Sequence, residues 1–254
     1  MKDFISKTRL IGFLSLLLIL LLWKLLSFFL KADIILPPPE KAFTVFLAFI
    51  RRRAFWAAVG ATVLRGAAGF FLSFIAGTLV GLAAGANTLV HAFIRFPLQI
   101  IRSTPVMSVI LLAVMWFSSD AVPVFVAFLM SFPIVCQNVL QGTLHVDPAL
   151  LEMAAVYRLS RRDTLLHISF PAVLPYLGAA ATATLGLTWK VVIAAEVLSL
   201  PLKAVGTGMQ FAQINLEAAE VFAWTITAIL LSFLSEELMK GITAAVKRKR
   251  GGKI

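Results

Sequence analysis

Charge is what this chain has least of. Asp, Glu, Lys and Arg make up 14% of it, little more than half the share of about 25% found in ordinary soluble domains. With 60% hydrophobic residues and a mean hydropathy of +0.95, that scarcity excludes a water-soluble globular domain and places the chain in a bilayer. Cysteine is reduced to Cys136, inside an apolar segment, so one chain can build neither a disulfide framework nor a cysteine metal site. The histidines, His91, His145 and His167, are scattered, and neither a G-x-x-x-x-G-K-[ST] phosphate loop nor an H-E-x-x-H pair occurs. No catalytic residue, metal ligand or cofactor is therefore assigned to this chain.

What charge there is has one dominant sign, net +11. Its basic residues sit at the ends of apolar segments rather than in one stripe with interleaved aromatics, which argues for membrane topology and against nucleic acid. Apolar blocks fall at 10–30, 56–86, 96–117, 122–144, 171–198 and 221–246. They predict an all-α polytopic membrane protein of six transmembrane helices, each about 20 residues or longer. Lys2, Lys7 and Arg9 ahead of the first block resemble a signal peptide, but no small-residue cleavage site follows and the apolar run continues, so a retained first helix is expected. The division expected is 1–55 for that helix and an external loop, 56–246 for a five-helix membrane domain, and 247–254 for a basic tail. Lys and Arg are in the majority on the side that holds both termini, so both termini are expected in the cytosol; the triplet Arg51, Arg52 and Arg53 is the exception, placed in the external loop.

Two ladders of small residues stand out. Gly69, Ser73, Gly77, Gly81 and Gly85 repeat every four residues in the second block, and Gly178, Thr182 and Gly186 do so in the fifth. Each lines one helix face and admits another helix closely, either within the chain or across a dimer. Four ionisable residues lie inside blocks: Arg65, Arg102, Lys190 and Glu196. At a lipid-facing midplane each costs at least about 2.5 kcal/mol, so they face a bundle interior or a water-filled path, or reach the interface. Arg102, Lys190 and Glu196 are the candidates for a translocation path, with ion pairing to another helix as the alternative for the latter two. Lys190 and Glu196 lie about 240° apart round one helix and do not pair with each other.

Between the fourth and fifth blocks the chain turns polar: D-P-A-L-L-E-M-A-A-V-Y-R-L-S-R-R-D-T-L-L-H-I-S-F-P-A-V-L-P, from Asp147 to Pro175. Asp147 can cap a helix with Pro148 in its first turn. This is a short helix outside the membrane, suited to a partner.

E-M-A-A-V-Y-R followed by S-F-P-A-V-L-P resembles the E-A-A-x-x-x-G…L-P signature of the membrane subunits of bacterial ATP-binding cassette importers. R-S-T-P-V-M-S-V-I-L-L from Arg102, W-K-V-V-I-A-A-E-V-L from Trp189 and V-F-A-W from Val221 are similar to the nitrate, sulfonate, taurine and bicarbonate permease group. The resemblance implies a type I importer-like bundle in the bacterial cytoplasmic membrane with a cytosolic coupling helix in the region 147–170. It also implies a second permease subunit, in a homodimer or as a paired permease, two cytosolic ATPase subunits that use the ATP, an extracytoplasmic substrate-binding protein, and a small anionic solute. Glu152, Met153, Ala154, Ala155, Arg158, Leu159 and Ser160 become the ATPase-coupling residues. Met153 replaces a motif alanine. Arg158 stands where the family has glycine, so either the helix continues through it or the turn is remade at Leu159 and Ser160. The reading from another class is an ion-gradient-driven secondary transporter with Lys190 and Glu196 as ion sites.

Overall fold

A computed structural model describes residues 2–251; side chains of residues 2–9, 13, 161 and 244–251 lie outside the described set. Every regular element among the described residues is helical: α1 (Lys2–Leu30), α2 (Pro39–Ile50), α3 (Arg53–Ala86), α4 (Thr88–Ser103), α5 (Val106–Trp116), α6 (Ala121–Leu144), α7 (Pro148–Val156), α8 (Arg161–Thr164), α9 (Phe170–Ser199), α10 (Val205–Ile214) and α11 (Ala218–Gly251), with one π turn, Leu165–Ser169, joining α8 to α9. Five of these helices are long and apolar enough to cross a membrane, and the bent pair α4 and α5 makes a sixth crossing if counted as one. Helices satisfy their own backbone groups, which lipid cannot do.

The third apolar block departs from the single span expected at 96–117. It divides into α4 and α5, which meet at 96°. Pro105 removes a backbone donor and holds Thr104 in extended geometry (φ −74°, ψ 128°), so the helix ends and restarts in a new direction. The external loop expected before residue 55 holds a helix, α2, with Pro39 in its first turn and Phe46 and Phe49 packed on Phe55 and Trp224. The tail expected at 247–254 continues α11 as far as Gly251, and 252–254 lie outside the described residues.

The centre of the bundle is α3 against α6 and α9. Gly69 abuts Ala127, Gly77 abuts Val135, Gly81 abuts Val139 and Gly85 abuts Thr143, with the same register difference each time, so α3 and α6 run parallel. Ser73 is buried on the same face and bonds its own helix at Phe70 O, 2.8 Å away. Lipid tails are as apolar as leucine, so close backbone approach supplies the contact energy that hydrophobic burial supplies in water. On α9, Gly186 meets Glu236 and Gly178 meets Thr243 of α11, which runs antiparallel to it. Bulky side chains such as Leu64, Phe71 and Leu79 of α3 point outward. From Leu10 onward the described side chains of helix α1 are mostly exposed, and it is held near its end by Trp23 stacked on Phe222 and by the Lys24–Glu40 ion pair.

Candidate functional site

Helix α7 forms because Asp147 caps it, its carboxylate accepting from Ala149 N at 2.9 Å, and because Pro148 occupies its first position, where no donor is missed. One residue anchors it: Ala154, 3% exposed, packs with Val146 and Ile168. Glu152, Met153, Ala155, Arg158, Leu159 and Ser160 are all exposed, as are Leu150, Leu151, Val156 and Tyr157, the last two at 79% and 74%. An isolated helix of nine residues is marginal in water, so its rigidity comes from its caps and from Ala154.

The helix neither continues through Arg158 nor turns at Leu159 and Ser160. Arg158 itself adopts the left-handed conformation, φ 51°, with Leu159 N donating to Ala154 O at 2.9 Å and Arg158 N to Ala155 O at 3.1 Å. This is the two-bond helix terminus that glycine usually provides. Ser160 then caps α8, its Oγ accepting from Asp163 N at 3.1 Å and donating to Asp163 Oδ2 at 2.6 Å. Because a Cβ in left-handed geometry is unfavourable, Arg158→Gly is expected to stabilise the protein by about 1 kcal/mol, read as a higher melting midpoint in detergent. A lower midpoint would show that the arginine side chain contributes more than its backbone costs.

At the end of the bundle opposite α7, the buried charges meet. Glu196 is 0% exposed. Its carboxylate accepts from Thr62 Oγ1 at 2.9 Å, from Arg65 Nη1 at 2.9 Å and from Gly206 N at 3.1 Å. The last bond places it at the start of α10, whose own N-cap residue, Ala204, offers no side-chain acceptor, so Glu196 serves as a cap from a neighbouring helix. Thr62 Oγ1 also accepts from Val205 N at 3.0 Å. Arg65 donates further to Lys203 O at 2.9 Å and to Asp120 Oδ1, 2.5 Å from Nη2. One guanidinium thereby ties α3, the start of α6, α9 and the 200–204 turn together. Of the two readings given for Glu196, a place beside a path or an ion pair with another helix, the second describes its contact with Arg65 of α3. Its partners Thr62 and Gly206, and Asp120 as the second carboxylate on Arg65, are not marked in the sequence; the signal for them is that an intramembrane Arg65 needs a counter-charge from elsewhere.

Arg102 and Lys190 are both exposed and line separate clefts. Arg102 lies at the α4–α5 break, in a cleft of about 280 Å³ between α4 and α6. Lys190 lies in a cleft of about 370 Å³ between α9 and α11, which Glu236 also lines. Neither cation forms a salt bridge among the described residues. No group of metal-ligating side chains occurs among the described residues.

Comparison with known proteins gives this geometry its context. The chain is 25% identical over 220 residues to the taurine transport system permease protein of Escherichia coli (strain K12), covering 84% of this chain and 80% of that one. It is 27% identical over 146 residues to the nitrate import permease protein of Leptolyngbya laminosa, covering 57% of this chain and about half, 52%, of the relative. A crystal structure of a bacterial ABC transporter involved in the import of the acidic polysaccharide alginate superposes with a TM-score of 0.63 over 95% of this chain and 98% of that one, at 14% identity, so there the likeness is of fold. Residues 69–248, from the small-residue ladder of α3 through α7 to the end of α11, match the family described as the binding-protein-dependent transport system inner membrane component. The chain belongs to that family of inner-membrane permease subunits of ABC importers, and is not itself an ATPase.

Proposed function

We propose that this permease carries a small oxyanion, of the nitrate or sulfonate class, as a homodimer driven by two cytosolic ATPase subunits and supplied by an extracytoplasmic binding protein. The observation that carries this reading is α7: a capped helix that buries one alanine against its own chain and leaves Met153, Val156 and Tyr157 in the open. An exposed apolar patch of this kind on a rigid element is a docking surface. With α7 on the cytosolic side both termini are cytosolic too, in keeping with the majority of basic residues. In this orientation Glu152 to Ser160 transmit ATPase closure to α6 and α9, and two arrangements of the bundle alternate.

The substrate class is supported by the taurine and nitrate relatives and by two cations, Arg102 and Lys190, on exposed helix faces, which form no salt bridge among the described residues. An ammonium at that depth attracts an anion without enclosing it, as a conduit requires. Proteoliposomes holding this chain with its ATPase and binding protein are expected to accumulate labelled taurine or nitrate only with ATP. Lys190→Met is expected to lower uptake about tenfold while leaving stimulated ATP hydrolysis in place. Uptake by the permease alone on an ion gradient would overturn the reading, and unchanged uptake by the Lys190 variant would remove that residue from the path.

A further inference from the structure

Helix α4 has two faces. Leu89, Phe93 and Phe96, at 70–78% exposure, point outward, whereas His91, Arg95, Gln99 and Arg102, spaced at helical intervals, line the cleft shared with Gln137 of α6. The cleft floor is apolar, with Leu98 buried beneath it. Two guanidinium groups, an imidazole and two carboxamides thus converge on about 280 Å³ that no carboxylate lines. The scarcity of acid extends well beyond the cleft: the sequence has no Asp or Glu between Glu40 and Asp120, and none from Ala121 to Val146. Arg65 finds Asp120 and Glu196, but Arg95 and Arg102 form no salt bridge among the described residues.

We propose that this cleft is a binding site for an oxyanion group of the sulfate or phosphate class, held by Arg95 and Arg102 and oriented by Gln99 and Gln137. Guanidinium forks match two oxygens of such a group at once, which an ammonium cannot do. Carboxamide N–H groups supply the neutral donors that bind oxygen and discriminate against a bare halide. The volume fits a small anion with water or a single headgroup and is too small for a polymer. Two sources share this chemistry. One is a free small oxyanion, and the other is the phosphodiester of an anionic lipid, whose chains would lie along Phe93 and Phe96 beside the cleft.

The test uses the full chain in phosphatidylcholine nanodiscs, without ATPase or nucleotide, so that its failure leaves the uptake experiment untouched. In one arm sodium sulfate is titrated against sodium chloride at matched ionic strength; in the other, phosphatidylglycerol replaces part of the phosphatidylcholine. A ligand of the folded state raises the melting midpoint. A rise in at least one arm is expected, with the half-saturating concentration moved up about tenfold by Arg95→Gln with Arg102→Gln. Gln99→Leu with Gln137→Leu, which changes no charge, is expected to weaken the same response and serves if the arginine pair fails to fold. A response to sulfate alone assigns the site to a free anion, and a response to phosphatidylglycerol alone assigns it to lipid phosphate. No response in either arm, or responses equal in wild type and variants, overturns the proposal.

Discussion

Arg65→Met is expected to be the most damaging single substitution in the bundle, lowering stability by about 3–5 kcal/mol. Among the described residues the guanidinium is the only cation beside a carboxylate that is 0% exposed, and it also holds Asp120 and the Lys203 carbonyl. Methionine matches its length but leaves Glu196 with Thr62 and Gly206 as its sole donors. A buried carboxylate without its counter-charge carries most of its desolvation cost. The variant is expected to melt on the order of 10 °C lower in detergent and to accumulate poorly in membranes. Adding Glu196→Gln to it is expected to restore part of the loss, because the orphaned charge is then gone, which makes the pair non-additive. Asp120→Asn is expected to cost less than about 1 kcal/mol, since that side chain is 74% exposed. An Arg65 variant that melts with the wild type would show that the network contributes no net stability.

Ala155→Trp is expected to abolish recovery of the ATPase subunit with the permease and to reduce coupled uptake by about a hundredfold, while the permease alone melts as before. Ala155 is exposed and makes no core contact, so an indole there disturbs only a surface that a partner covers; bulk at the centre of an interface costs several kcal/mol of affinity. Its neighbour gives the opposite pattern. Ala154→Leu forces a larger side chain between Val146 and Ile168, an overpacking worth about 1–3 kcal/mol, and is expected to lower the melting midpoint of the isolated permease as well. Wild-type ATPase recovery with Ala155→Trp would move the docking surface away from α7.

These two sites differ in how far the sequence reveals them. The α7 region is local: Asp147, Pro148, the run Leu150 to Ala155 and Ser160 lie within three turns or so, and capping and helical spacing act over that range. Its motif names the family, and the match over residues 69–248 agrees. The Arg158 turn is half legible. Its position is marked by the family glycine, but that an arginine takes the same left-handed backbone, with Leu159 N closing the turn on the carbonyl of the buried Ala154, is seen only in the structure. The α4–α5 break was available locally in Thr104-Pro105 and is hidden by the unbroken hydropathy around it.

Sequence by itself determined the solvent of this protein, the places of five long apolar helices and the presence of a capped helix outside them, because hydropathy, period and capping are properties of neighbours in the chain. Tertiary structure alone decided which side chains meet. Arg65 and Glu196 are 131 residues apart, and no periodicity links them. Only the antiparallel packing of α3 and α9 turns two charges in apolar blocks into one closed network, whereas the same packing leaves Arg102 and Lys190 on open faces. The physical reason is that a buried charge takes its cost from its whole surroundings, and those surroundings are assembled from helices distant in sequence.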